Sequence, residues 1–279
     1  MNYKFLPLIP VILLALSLLY LFWLNSTTGL KLDIDLKGGT QIIAESSTDV
    51  SVKELENVLK SYEPSIRTSR GLDTYTVFIA FDASIDSDKV LNTLKENGYT
   101  FKEYSIQTVG SAIGKAFFEQ ATIALAFAFL FMIITTFLIF KKFILAIRVI
   151  ISAFADIIEC LVLSQIVGIT LSLATFAALL LLIGYSVDDD VMLTTRVTKG
   201  TGDLNERIKR ARKTAFTMVG ATIVALMSLY IITESVVIDQ IASIMLFGLV
   251  FDLINTWMFN APILRWYVEK GWFAQSGFK

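Results

Sequence analysis

The chain has 279 residues, with 24 basic and 25 acidic side chains, yet 55% of it is hydrophobic and its mean hydropathy is +0.66, well above the habit of soluble domains. With no histidine and one cysteine, Cys160, it cannot build a His-ligated metal site, a Ser-His-Asp triad or an intrachain disulfide. Near-neutral charge gives no reason to expect nucleic acid as a partner, and no cofactor-binding pattern stands out.

Phe5 to Leu24 is uncharged throughout and, at about 1.5 Å per residue, spans roughly 30 Å, the thickness of a hydrocarbon core. It reads as a first transmembrane helix, residues 1–24. A cleaved signal peptide fits less well, because the apolar run is too long and no A-x-A site follows. From Asn25 to Lys115 the texture becomes that of soluble protein. Leu32–Ala44, Ser65–Arg70, Tyr75–Phe81 and Thr100–Thr108 read as strands, with a turn at Asp73. Val52–Tyr62, with Leu55, Val58 and Leu59 on one face, and Asp88–Asn97, with Val90, Leu91 and Leu94, read as helices. The order βαββαβ is that of a ferredoxin-like domain. Asn97-Gly98 is a plausible helix stop, since glycine takes the left-handed conformation cheaply.

Five more spans follow in residues 116–265: Phe117–Phe140, Phe143–Val167, Leu171–Thr195, Thr214–Thr233 and Ile241–Leu264, leaving 266–279 as a tail. The expectation is a polytopic helical protein of the cytoplasmic membrane, with six spans and an α+β domain between the first and second. Placing both termini in the cytoplasm puts Lys4, Lys141, Lys142, the run Arg196 to Lys213, Arg265, Lys270 and Lys279 inside. The short connections Gly168–Thr170 and Glu234–Gln240, which lack Lys and Arg, then lie outside with the soluble domain.

Charges inside apolar spans are expensive, at about 2.5–3.5 kcal/mol each on the insertion scale, so each needs a reason. The fourth span reads GYSVDDDVMLTTR. Asp188 sits roughly 12 Å above Arg196, and three consecutive carboxylates about 100° apart cannot share one direction. The third span adds Arg148, Asp156 and Glu159, with Arg148 near the level of Asp189, and Asp252 lies in the sixth. Two readings stand side by side. In one, these acids titrate as their packing changes. In the other, Arg148 and an Asp form a static pair, and Asp190 snorkels toward the headgroups. The basic segment Arg196–Lys213 follows from topology alone. Gly38-Gly39 is a weak phosphate signal, and a bulge or close backbone approach explains it better. Cys160 reads as inert packing.

Several local patterns now coincide. Asp35-Leu36-Lys37-Gly38-Gly39-Thr40 follows the first span, Gly184-Tyr185-Ser186-Val187-Asp188-Asp189 lies in the fourth, and Ala261-Pro262-Ile263-Leu264 closes the sixth. In this order the chain resembles the SecF family, whose members partner SecD beside the Sec export channel and share the architecture of resistance-nodulation-division exporters. The resemblance implies no covalent chemistry. It implies a membrane subunit that uses the proton motive force to assist export, with a SecD-like subunit, the Sec channel, the exported preprotein and the bilayer as partners. By position it implies proton relay through Asp188, Asp189 and Asp156, with Arg148 or Lys213 as counter-charge, and it makes Asp35, Gly38, Gly39 and Thr40 a motif of the outer domain. Asp190 and Ala155 depart from the family's usual Thr and His, and Lys213 stands where Arg is common.

SecD itself is the neighbouring alternative, but its outer region is usually larger. An intramembrane aspartyl protease would need Gly-x-Gly-Asp and Pro-Ala-Leu, which are missing here. A stand-alone proton antiporter would need a second six-span repeat.

Overall fold

The computed structural model describes residues 5–46, 50–70, 75–101, 103–233 and 235–270. The turn expected at Asp73 lies outside them, as do Lys4 and Lys279. The first helix, α1, is Leu8–Thr27. A one-turn helix, α2 (Ile34–Lys37), follows where the sequence suggested a strand from Leu32. The reason is local: the Asp33 carboxylate accepts the Ile34 N–H at 2.8 Å, starting a turn that Gly38 ends at φ +81°. The strand β1 therefore begins only at Gly39 and runs to Ser46.

Helix α3 (Val52–Val58) gives way to a 3-10 turn at Lys60–Tyr62, and the strands β2 (Ser65–Arg70) and β3 (Tyr75–Phe81) fall where the periodicity put them. Helix α4 (Ser87–Glu96) ends at Asn97, with Gly98 at φ +86°, and β4 is Tyr104–Val109. The sheet order is β2-β3-β1-β4, antiparallel throughout, with Ile42 opposite both Ile79 and Ile106. One sheet face packs on α3 and α4 and buries Ile42, Ala44, Val77, Ile79, Leu55, Leu59, Val90 and Leu94. Each buried Val, Leu or Ile among them contributes about 1.5–3 kcal/mol. Arg67 and Phe78, paired across β2 and β3, lie on the opposite face.

The long helices are α5 (Ser111–Phe140), α6 (Phe143–Val167), α7 (Leu173–Lys199), α8 (Leu204–Ile232) and α9 (Val236–Asn255). After α9 the chain continues through a π-helical turn, Thr256–Asn260, into α10, Ala261–Glu269. By length and composition α1, α5, α8 and the α9–α10 segment are each apolar enough to cross a membrane. Two boundaries differ from the sequence reading. Helix α5 starts at Ser111, ahead of the limit placed at Lys115. Most of the basic segment is helical, because Asp203 accepts the Asn205 N–H and starts α8 at Leu204, well before Lys213.

Helices α6 and α7 pack on each other and on α9, with α5 against both, α1 against α6, and α8 against α7 and α9. Close approach is enforced at two points. A Cβ on Gly248 would fall 2.2 Å from Leu182 Cδ2, so α9 needs a glycine there to meet α7. A Cβ on Gly38 would fall 2.5 Å from Ser111 Cα, so the Gly38-Gly39 pair seats the base of the sheet domain on α5, as a tight backbone approach requires.

Candidate functional site

The helical spacing of polar residues explains what the bundle encloses. On α6, Arg148, Ser152, Asp156 and Glu159 share one face; on α7, Ser186, Asp190 and Thr194 do; and Asp252, Asn255, Thr256 and Asn260 follow the same spacing through the π turn. All are buried where α6, α7 and α9 meet. Asp156 accepts from Ser186 Oγ at 2.6 Å and from Asn255 Nδ2 at 2.7 Å, and the same amide reaches Glu159 at 2.9 Å. Asp190 accepts from Asn260 Nδ2 at 2.5 Å and from the Thr256 hydroxyl at 3.3 Å.

Arg148 makes no direct ion pair among the described residues. It donates to the Thr194 hydroxyl and to the Asn260 carbonyl at 3.4 Å, while Thr194 Oγ1 donates to the Asp190 backbone carbonyl at 2.6 Å. Its nearest acidic influence is Asp190. Asp252 lies within electrostatic reach of Asp156, Asp189 and Asp190. Both of its oxygens, one of Glu159 and one of Asp189 have no hydrogen-bond partner among the described residues. The cluster thus holds five buried acids, Asp156, Glu159, Asp189, Asp190 and Asp252, and one buried base, Arg148.

The structure sorts the expected residues. Asp156, Asp189 and Arg148 come together. Asp188 faces outward and is exposed on the single chain. Lys213 is exposed on α8 beside Lys209, Arg212 and Phe216, with no interaction joining it to an acid of the cluster among the described residues. The expectation that Asp190 reaches the headgroups is corrected: its exposure is 0%, because the π turn brings Thr256 and Asn260 against it. Asn255, Thr256, Asn260, Ser186 and Thr194 escaped the sequence reading. The signal was their spacing from Asp252 and Asp190, which charge alone does not reveal. Cys160 is buried, with its thiol on the Ile244 carbonyl.

A second polar centre lies at the other end of the same helices. Asp33 accepts from Arg67 Nη2 at 2.6 Å, Thr170 Oγ1 at 3.1 Å and Gln240 Nε2 at 3.4 Å, binding the sheet domain to the α6–α7 turn and to α9. Backbone bonds reinforce the joint: Asp33 N–H to the Leu171 carbonyl at 2.7 Å, and Leu171 N–H to the Lys31 carbonyl at 2.8 Å. Burial pushes the Asp33 carboxyl up, but the Arg67 charge and the hydrogen bonds from Ile34, Arg67 and Gln240 outweigh it and hold it below the usual value. Asp35 is half-buried and pushed up, by burial first and then by the charge of Asp33. Thr40 bonds Thr108 at 3.1 Å across β1 and β4.

Residues 89–270 match the family model described as protein export membrane protein SecD/SecF, C-terminal. The chain belongs to the SecD/SecF family of protein-export membrane proteins. It is 35% identical to the protein-export membrane protein SecF of Methanolacinia petrolearia over 94% of this chain and 93% of that one. Against the SecF proteins of Methanocaldococcus jannaschii and Pyrococcus furiosus the identity is 35% and 36%, over 96% and 97% of this chain and 97% and 93% of theirs. The fold is also that of SecDF, described as a translocon-associated membrane protein, from Thermus thermophilus: TM-score 0.74 at 18% identity, over 97% of this chain and 38% of that one. The super-membrane-facing form of SecDF gives a TM-score of 0.56 at 15% identity.

Proposed function

We propose that this chain is a SecF-like auxiliary subunit that assists protein export across the cytoplasmic membrane, and that the acidic cluster couples the proton motive force to that work. The observation that carries the coupling is five buried acids served by one guanidinium, with four carboxylate oxygens lacking a hydrogen-bond partner among the described residues. In a low-dielectric bundle such an excess of acid is balanced only when protons or other cations accompany it, so its charge state and its packing change together. On this reading α6 and α7 are spans as well, shielded by their neighbours, which makes six. The βαββαβ order with sheet order β2-β3-β1-β4 supports a ferredoxin-like outer domain, and the basic residues around α8 support cytoplasmic termini.

A SecD-like subunit supplies the other half of the assembly. Two facts support it: the SecDF chain is far longer than its matching 38%, and Asp188 stands exposed on α7 beside the cluster, a costly place for a carboxylate unless another protein covers it. The outer domain then contacts the Sec channel or the emerging preprotein, and the protein performs no covalent chemistry. The test is export of a secreted reporter in cells carrying Asp190→Asn, Asp252→Asn, or both. Export is expected to lose its dependence on the proton gradient while the protein remains folded in the membrane. Unchanged export rate and unchanged gradient dependence in the double variant would discard the coupling.

A further inference from the structure

Strand β2 is one margin of the outer sheet and, among the described residues, pairs with β3 alone. Four consecutive β2 residues, Ser65, Ile66, Arg67 and Thr68, border a cavity of about 590 Å³. Alternate strand residues point to opposite faces, so four in a row around one space means that the strand's edge, and not only a face, bounds it. The far wall is the outer end of the bundle, including Thr170, Asp239 and Gln240. No described residue outside the ladder to β3 hydrogen-bonds the backbone of Ser65–Thr68. An edge of this kind is a template for one more strand.

The size of the space says what fits. A strand lies about 4.8 Å from its neighbour in a layer about 10 Å deep and advances about 3.3 Å per residue, so four added residues fill roughly 600 Å³. The cavity has room for such a segment, whereas a folded domain, many times larger, does not enter it. The charged residues that line the cavity, Lys31, Arg67, Glu56 and Asp239, are two of each sign and select no single charge type. Main-chain hydrogen bonding is tolerant of sequence, as a site that serves many cargoes requires.

We propose that this cavity between the β2 edge and the outer ends of α6, α7 and α9 binds an extended segment of an exported polypeptide as an added strand. The proposal rests on the export role above and gives it a location. Thr170 and Gln240 line the cavity and also hold the Asp33 carboxylate, so an occupant would press on the joint between domain and bundle.

The experiment places a photoreactive benzoylphenylalanine at Ser65 or Thr68 of the full chain in its own membrane, with Lys95 on α4 as control. A secreted reporter is stalled mid-transfer by a folded C-terminal domain. Cross-links from Ser65 and Thr68 to the stalled reporter, absent from Lys95 and lost when transfer completes, are expected. A Thr68→Trp variant, which fills the space without touching the acidic cluster, should lower the Ser65 cross-link about tenfold, equivalent to about 1.4 kcal/mol. If the reporter still needs this chain for export but Ser65 and Thr68 fail to cross-link to it, or cross-link only to a partner subunit, the site is wrong while the export role stands. Export that proceeds equally in cells lacking the chain removes the export role and this proposal together.

Discussion

The two polar centres of the molecule are built from the same helices and treat their carboxylates in opposite ways. At the joint between domain and bundle Asp33 has a partner for each oxygen, including the Arg67 guanidinium at 2.6 Å. In the bundle Asp252 is more deeply buried than Asp33, and neither of its oxygens meets hydrogen-bond geometry with a described residue. A satisfied buried charge holds two elements in register, whereas an unsatisfied one stores a cost that uptake of a proton relieves. Under the proposed coupling the joint transmits and the cluster responds, and the comparison can be broken by substitution.

The largest effect is expected at Arg148. Arg148→Ala removes the cluster's one buried cation and should cost about 3–5 kcal/mol, read as a lower thermal midpoint of the purified protein. A midpoint unchanged from the parent would mean that the acids are balanced by something else. Next comes the opposition itself. Asp33→Asn loses a charge-assisted bond and should destabilise by about 1.5–3 kcal/mol. Asp252→Asn removes an unpaired charge and should leave stability equal or higher; equal losses in both variants would erase the distinction.

Gly248→Ala sets a Cβ against Leu182 and should cost about 1–3 kcal/mol through overpacking, with the separation of α7 and α9 as the readout. The smallest effect is that of acid at the joint. Because the Asp33 carboxyl is held below its ordinary value of 3.8, its contribution is complete at neutral pH and is lost only as pH falls below 3.8 through the folded-state value. Spin labels at Lys95 and Val167 should keep their separation down to about pH 4 and diverge below it. Divergence already at neutral pH would mean that a group other than Asp33 governs the joint.

Much of this was legible beforehand. The limits of α6, the strands β2 and β3 and the stop at Gly98 follow from periodicity and local chemistry. The one-turn helix at Ile34–Lys37 was not, because four residues are too few for a period and the cap that starts the turn is held in place by distant Arg67, Thr170 and Gln240. At the site, Asp156, Asp189 and Arg148 were recoverable as charges in apolar runs, but three adjacent aspartates look alike in a sequence. Only the rotation of α7 in the bundle separates exposed Asp188 from buried Asp190.

Composition and hydropathy alone settled that the chain is a membrane protein with a polar domain interrupting its apolar runs, since burial of apolar surface depends on how much there is and how it is spaced. Which carboxylates lack partners, and which helix ends the sheet domain grips, was decided by tertiary structure. Those facts depend on side chains meeting across more than a hundred residues, as Arg148 meets Asn260 and Asp33 meets Gln240, and no local pattern encodes the angle at which helices turn toward one another.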